Sequence, residues 1–154
     1  MTPDLRARLR TELIGHEGLV TRAYDDATGR VIQPGTTVRG WVTVGYGRNL
    51  VGKGLTVRES DYLLSNDIAD VERELDARIA WWRSLDDARM LAIAEMAFQL
   101  GAANLTAKWP NFLRAVQTGD YRRAAAIIRA SLLARQVPSR AEGYARLIEA
   151  GRFT

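Results

Sequence analysis

Two carboxylic acids and a hydroxyl are spaced closely in the first third of the sequence. Glu17 follows a helical pattern, Asp26 lies nine positions later in a turn-rich segment, and Thr43 lies in a segment typical of a β-strand. Two carboxyl groups in different environments can divide acid–base work, because one can donate a proton to a leaving oxygen while the other activates water or stabilises charge. We therefore predict that Glu17, Asp26 and Thr43 form a site suited to hydrolysis of a glycosidic bond.

A second aspartate competes with Asp26 for this role. Asp25 directly precedes it, and aspartate is a favoured turn residue whether or not it performs chemistry. Taken alone, an acid at the end of a helix or in a turn is more often a surface residue than a catalytic one. We expect Asp26 to be the working carboxylate and Asp25 to be a solvated turn residue.

The helix that would position Glu17 has a clear start signal. Thr2 offers a capping hydroxyl, Pro3 needs no amide donor, and Asp4 places an acid near the positive end of the helix dipole. The apolar residues that follow recur at helical spacing as far as residue 14. We expect this helix to end near Gly15, which would place Glu17 just past its last turn.

The segment that carries Asp26 and Thr43 has the pattern of a sheet. Turn dipeptides separate short segments rich in Val, Thr, Trp and Tyr between residues 24 and 47, which predicts a small antiparallel sheet. Alternation along the last segment places Val42, Val44 and Tyr46 on one side of the strand. Thr43 is therefore expected to face away from this apolar row and into a cleft.

The remainder of the sequence predicts helices. A capping box at residues 56–59 opens a long helix over about 57–80. A second cap at residues 84–87 opens a helix that is apolar nearly all round from Met90 to Leu100, as is typical of a buried helix, and Gly101 closes it. Three further helices are predicted over about 110–118, 121–135 and 140–150, the last opened by a capping box at 139–142.

Together these elements predict an α+β fold in a single domain over residues 1–154. We expect a small antiparallel sheet lobe at about 15–55, a connecting helix at about 57–80, and a larger helical lobe at about 84–154 that also takes in the N-terminal helix at 3–15. A cleft between two such lobes is a common place for a ligand site.

Composition limits the classes of function. The chain has no cysteine and one histidine, which exclude disulfides, thiolate metal sites and a multi-histidine metal site within one chain. Its net charge of +4 favours a polyanionic partner such as nucleic acid, an anionic membrane surface or the polymers of a bacterial wall. The N-terminus lacks the apolar core of a secretory signal, and no run approaches the ~20 apolar residues of a membrane span. We expect a protein made in the cytoplasm without a signal peptide, with neither metal nor cofactor.

The motifs together resemble the phage-type lysozymes, the endolysins grouped as glycoside hydrolase family 24. Glu17-Gly18, Tyr24, Asp26 and the run Thr43-Val-Gly-Tyr-Gly are similar to that family's catalytic segment, with the same nine-position spacing from glutamate to aspartate. Further landmarks follow in the family's order at residues 66–68, 84–86, 96–101 and 136–141. Sixteen residues separate Asp26 from Thr43, more than in the shortest family members, so residues 30–39 are expected to form an enlarged hairpin.

The resemblance implies roles for particular residues. Glu17 would be the general acid, Asp26 the carboxylate that handles the water, and Thr43 the hydroxyl that helps to hold it. Arg140 would be a cation near Glu17. The substrate-binding residues would be Tyr24, Phe98 and Asn111.

Two further residues differ together from those of the family. His16 and Glu95 stand where relatives have an acid and an amide, and we expect them to face each other at the base of the site. Each also has a plainer interpretation, since a single histidine is more often structural and a glutamate in an apolar helix is more often paired or directed to solvent.

The resemblance implies an N-acetylmuramidase that cleaves bacterial peptidoglycan, acting as a phage or prophage endolysin. Such a protein would be a monomer that reaches the wall after release from the host cytoplasm, with the help of a holin. Two other classes are weighed beside this one: a peptidoglycan-binding module without activity, and a basic nucleic-acid-binding protein. The second lacks a recognisable base-reading motif, so no specific nucleic-acid partner is expected.

Overall fold

The computed structural model describes residues 1–153 and forms two compact units. One unit is Met1–Ser60, and the other begins at Asp61. The fold is α+β, as the sequence predicts, with one small antiparallel sheet and a predominance of helix.

The first unit opens with helix α1, Pro3–Glu17. The Thr2 hydroxyl accepts a hydrogen bond from the Leu5 amide, which confirms the predicted cap. The predicted end near Gly15 was wrong, because α1 continues for two more residues and Glu17 is its last. Gly18 closes it with a backbone φ of 65°, a conformation that costs little only for glycine.

Four strands follow: β1, Val20–Asp25; β2, Arg30–Val31; β3, Val42–Gly45; and β4, Arg48–Asn49. They pair antiparallel in the order β2-β1-β3-β4, which confirms the predicted sheet. The register sets Tyr24 opposite Thr43 and Asp25 opposite Val42. The last residue of β1 therefore lies beside the first of β3, and Asp26 follows directly.

Helix α2, Val57–Arg78, begins with the predicted capping box. The Glu59 amide donates to the Thr56 hydroxyl, and the Thr56 amide and hydroxyl both donate to the Glu59 carboxylate. The box satisfies backbone donors that the first turn of a helix leaves without partners.

The second unit is helical. After α2 it contains a 3-10 turn at Trp82–Ser84 and six helices: α3, Asp87–Leu100; α4, Ala102–Lys108; α5, Pro110–Gln117; α6, Tyr121–Arg129; α7, Leu132–Gln136; and α8, Pro138–Ala150. Its core is apolar, and Phe112, at 0% exposure, packs edge to face on Trp109. Gly101 closes α3, as predicted.

Three predicted boundaries in this unit were wrong. Asp86 caps α3 rather than Ser84, because the backbone of Ser84 is already part of the 3-10 turn. The helix predicted over 121–135 is broken, since the Ser131 hydroxyl accepts from the Ala134 amide and starts α7. Helix α8 begins at Pro138, which needs no amide donor, and no side chain caps it.

Within residues 1–153 no single helix is long and apolar enough to cross a membrane. Helices α3 and α4 together have the length and apolar composition of a membrane span, but the chain bends by 100° between them at Gly101. Their buried residues belong to the helical core.

Candidate functional site

The carboxylate of Glu17 lies against the turn between β3 and β4. A β-carbon placed on Gly47 would be 2.6 Å from Glu17 Oε2, so a side chain there would displace the Glu17 carboxylate from this position. Gly47 also has a φ of 69°, which glycine adopts without strain. The structure therefore brings Glu17 next to the turn that follows the strand of Thr43, while Glu17 itself remains exposed.

Asp26 and Thr43 are joined through the backbone of Trp41. The Trp41 amide donates to Asp26 Oδ1 at 2.6 Å, and the Asp26 amide donates back to the Trp41 carbonyl at 3.1 Å. The Thr43 hydroxyl donates to the same carbonyl at 3.3 Å. The aspartate that follows β1 and the threonine in β3 thus share one peptide oxygen as their common partner.

Thr43 is enclosed, with 3% of its surface exposed, whereas Asp26 is exposed. Strand alternation turns Thr43 away from Val42 and Val44, and both valines are half-buried. The threonine oxygen donates one hydrogen bond and still has lone pairs that can accept another. Such an oxygen is able to bind a water molecule.

Asp25 is buried, and the prediction that it is solvated was wrong. Only 2% of it is exposed. Its Oδ2 accepts from the Arg39 amide at 3.0 Å, and its Oδ1 accepts from the Gly40 and Ala27 amides at 2.9 and 3.1 Å. These bonds, the Arg39 amide first, hold the pKa of Asp25 below its ordinary value, although burial opposes them. Three backbone donors have replaced the water that a turn aspartate would otherwise bind.

Arg48 forms an ion pair that the sequence did not predict. Its guanidinium donates two hydrogen bonds to Glu59, both at 2.8 Å, and two more to the Gly54 carbonyl. The arginine, ahead of the Thr56 amide and hydroxyl, lowers the pKa of Glu59 from 4.5 to about 2. This network ties β4 to the loop at 50–56 and to the first turn of α2. Eleven positions separate the two partners, and only the fold brings them together.

Four predicted site residues lie in the second unit. Glu95 and Phe98 line one apolar groove of about 300 Å³ on α2 and α3, and Phe98 is 49% exposed. Asn111 is exposed and lines a different pocket, formed by α5, α6 and the loop before α7. The predicted pairing of His16 with Glu95, and of Arg140 with Glu17, stays a prediction.

Arg140 and Glu95 both act on the buried hydroxyl of Tyr144. This hydroxyl donates to Gln99 Oε1 at 3.0 Å. Burial raises the pKa of Tyr144, the charge of Glu95 raises it further, and Arg140 lowers it. The pKa of one phenol in the helical core is therefore influenced by both Glu95 and Arg140.

The described part of the chain contains no group of three or more His, Cys, Asp or Glu side chains arranged to hold a metal ion. The site assembled in the first unit consists of oxygen acids, a hydroxyl and backbone amides. Groups of these types are able to transfer protons and to bind water.

The chain is similar to known proteins over a range that includes these residues. The family model described as phage lysozyme matches residues 14–134, a range that contains Glu17, Asp26 and Thr43. The chain is also 30% identical over 112 residues to the pre-baseplate central spike protein Gp5 of Enterobacteria phage T4. That match covers 70% of this chain and 19% of Gp5, so the chain spans about a fifth of its relative.

Proposed function

The chain belongs to the phage lysozyme family, and from that premise we propose that it hydrolyses the β-1,4 bond between N-acetylmuramic acid and N-acetylglucosamine in bacterial peptidoglycan. One observation carries the proposal beyond family membership. The backbone of Trp41 joins Asp26 to Thr43, and the turn after β3 lies against the Glu17 carboxylate. Glu17 at the end of α1, Asp26 after β1 and Thr43 in β3 thus all lie in or beside the small sheet, which supports the proposal.

Each residue has a role that its surroundings support. Glu17, exposed at the end of α1, donates a proton to the glycosidic oxygen as the bond breaks. Asp26 binds the Trp41 amide through Oδ1, and among the described residues no donor binds its Oδ2. That free oxygen accepts a proton from the attacking water, and the Thr43 hydroxyl holds the same water.

The expected stereochemical outcome is inversion. An inverting glycosidase needs a water molecule between its two carboxyl groups, which are then ~6.5–9.5 Å apart, and the water attacks from the face opposite the leaving group. Glu17 and Asp26 take the acid and base roles in this scheme. Neither a metal nor a cofactor is needed for these steps.

Purified peptidoglycan digested with the wild-type protein tests the reaction. We expect mass spectrometry to find reducing muramic ends, which mark hydrolysis. Glu17→Gln should lower the rate by about 10²–10⁴-fold, because it removes the general acid and leaves a side chain of the same shape. Glu12→Gln is the matched control, since Glu12 is exposed on the same helix and has no assigned role.

Three outcomes would contradict the proposal. Anhydro-muramic ends would indicate a transglycosylase. Binding to peptidoglycan without any cleavage would indicate a binding module. A wild-type rate in Glu17→Gln would remove Glu17 from the mechanism.

We further propose that the protein acts as an endolysin, on the wall of the cell that makes it. Its positive charge would favour the anionic polymers of that wall. Cells that express it in the cytoplasm should lyse when their membrane is permeabilised, and cells that express Glu17→Gln should not. Lysis without permeabilisation would show that the protein needs no holin.

A further inference from the structure

Asp25 is a buried charge that the proposed mechanism does not use. Aspartate is seldom buried unless its carboxylate is paired or hydrogen-bonded, since removal of a charge from water is costly. Asp25 has no cationic partner within salt-bridge distance among the described residues, and its bonds are to backbone amides. The reason for its burial must therefore lie in the backbone segments whose amides it binds.

The amides belong to the segment that leads into β3. Gly40 and Arg39 donate to the two oxygens of Asp25, and Ala27 donates from the turn after β1. The carboxylate thus closes a loop of fourteen positions, from the end of β1 to Arg39. It fixes the path of the backbone directly before Trp41.

The next amide along the same segment binds Asp26. Arg39, Gly40 and Trp41 are consecutive, and their amides donate in turn to Asp25 Oδ2, Asp25 Oδ1 and Asp26 Oδ1. The first two bonds, with the Asp26 amide bond to the Trp41 carbonyl, hold the third donor in place. A shift of the segment would move the Trp41 amide away from Asp26.

Gly40 shows how closely this segment approaches Asp26. A β-carbon on Gly40 would lie 2.1 Å from Asp26 Oδ1 and 2.8 Å from Ala27 Cβ. The Ala27 backbone nitrogen would also lie at 2.8 Å, so the added carbon could not be accommodated by movement of the Asp26 side chain alone. Gly40 therefore leaves the space that the Asp26 carboxylate occupies. The segment therefore fixes Asp26 by attraction at Trp41 and by contact at Gly40.

We propose that Asp25 is a positioning residue, whose carboxylate binds the backbone of Arg39 and Gly40 so that the Trp41 amide orients Asp26 to accept a proton from the attacking water. This inference rests on the proposed function. Asp25 touches no substrate in this scheme and acts through the segment 39–41 and through the Ala27 amide that it binds.

Asp25→Asn is the direct test. The variant keeps the shape of the side chain but replaces one acceptor oxygen with an NH₂ group, which would point at a backbone donor. We expect kcat on peptidoglycan to fall about 10–100-fold, because a small misplacement of a reacting group has effects of this size, while KM stays within about twofold.

Thr36→Ala is the matched control. The Thr36 hydroxyl accepts a hydrogen bond from the Gln33 amide at 2.9 Å in the loop that precedes residues 39–41, but it makes no bond to Asp25 or Asp26. Its loss should lower stability slightly and leave kcat unchanged. An equal loss of kcat in both variants would show that Asp25 only stabilises the hairpin, and this would overturn the inference.

A double-mutant cycle with Asp26→Asn separates positioning from other effects. If Asp25 works through Asp26, the double variant should be no less active than Asp26→Asn alone. Additive losses would mean that Asp25 acts by another route. A wild-type kcat in a folded Asp25→Asn would also overturn the inference.

Gly40→Ala keeps the test decisive if Asp25→Asn does not fold. This variant keeps the Gly40 amide and both aspartates, but its methyl group would lie 2.1 Å from Asp26 Oδ1 and 2.8 Å from the Ala27 nitrogen, so the Asp26 carboxylate and the turn that follows it must move. We expect a loss of kcat at unchanged KM, and a wild-type kcat would contradict the proposed path from the segment to Asp26.

Failure of the inference and failure of the proposed function give different results. If the wild-type protein releases no reducing ends, the proposed function fails. If the wild type is active, Asp26→Asn is inactive and Asp25→Asn is unimpaired, only the inference fails. If Asp26→Asn is active and Asp25→Asn is inactive, Asp25 is itself the catalytic carboxylate.

Discussion

The two compact units bury opposite kinds of side chain. In residues 1–60 the buried side chains are those of Asp25 and Thr43, both polar. In residues 61–153 they are apolar or aromatic, and they form a continuous core among the helices. One unit is organised by hydrogen bonds to its backbone, and the other by the burial of apolar surface.

The difference matters because the two kinds of interaction do not fix the positions of atoms equally narrowly. Apolar burial has no direction, and a core tolerates many side chains of similar volume. Hydrogen bonds depend steeply on distance and angle, so they fix the position of an atom more narrowly. The carboxylates and the hydroxyl assigned to chemistry all belong to the unit held by hydrogen bonds. We therefore expect changes in the helical unit to lower stability, and changes in the sheet unit to lower activity first.

The largest effect on stability is expected from Leu133→Ala. Leu133 is 5% exposed in the helical core, so its truncation leaves a cavity and should cost about 2–5 kcal/mol in the free energy of unfolding. Its neighbour Leu132 is 61% exposed, and Leu132→Ala is the matched control, with a cost within about 0.5 kcal/mol. Urea denaturation measures both. Equal losses would show that exposure does not separate the two sites.

The largest effect on activity outside the catalytic residues is expected from Gly47→Ala. Its methyl group would meet Glu17 Oε2 and displace the general acid, so kcat should fall about 100-fold. Gly45→Ala is the control for strain, because Gly45 has nearly the same φ, 68° against 69°, with nothing within 4 Å of the added carbon. Steady-state kinetics on both variants gives the comparison. Equal losses of kcat would mean that backbone strain alone is responsible.

A smaller effect on stability is expected from the loss of a polar helix cap in the helical unit. Asp86→Ala removes the cap of α3, where the side chain accepts from the Arg89 amide at 3.0 Å, and should cost about 1 kcal/mol. Ser84→Ala should cost less, since the Ser84 hydroxyl only donates to the Trp81 carbonyl within the 3-10 turn. A larger loss for Ser84→Ala would restore Ser84 as the cap. Neither change should alter kcat.

The smallest expected effect is the pH dependence of stability that Glu59 contributes. Hydrogen bonds from Arg48, more than those from Thr56, lower the pKa of Glu59 from 4.5 to about 2 in the folded protein. The unfolded chain therefore binds this proton first, so the stabilisation is complete above pH 4.5 and is lost as the pH falls towards 2. The difference in thermal midpoint between wild type and Glu59→Gln should shrink over that range. A constant difference would contradict the assignment.

Local signals predicted those parts of the fold that depend on neighbouring residues. The Thr2 cap, the box of Thr56 with Glu59 and the closing Gly101 were all correct, because each is a bond or a conformation within a few positions along the chain. The sheet was also predicted, since turn residues alternate with β-branched and aromatic ones. Boundaries failed where two signals competed, as at Ser84 and Asp86.

The state of Asp25 could not be predicted in this way. Its amide partners at Arg39 and Gly40 are fourteen and fifteen positions away, so nothing near Asp25 indicates that its carboxylate is buried. The same holds for Arg48 and Glu59, which come together only when β4 is placed beside the start of α2. Which residues become partners over such distances depends on the register of the strands and on the path of the loops between them.

The sequence by itself determined most of the helices, the small sheet and the α+β class, because residue type and short spacing are sufficient for these. The roles of Glu17, Asp26 and Thr43 in glycoside hydrolysis stay predictions. Only the tertiary structure decided what each of the adjacent aspartates does. It buried Asp25 against three amides and left Asp26 exposed beside Trp41. Asp25 ends β1 and Asp26 begins the turn after it, and only the path of residues 39–41 distinguishes these two identical neighbours.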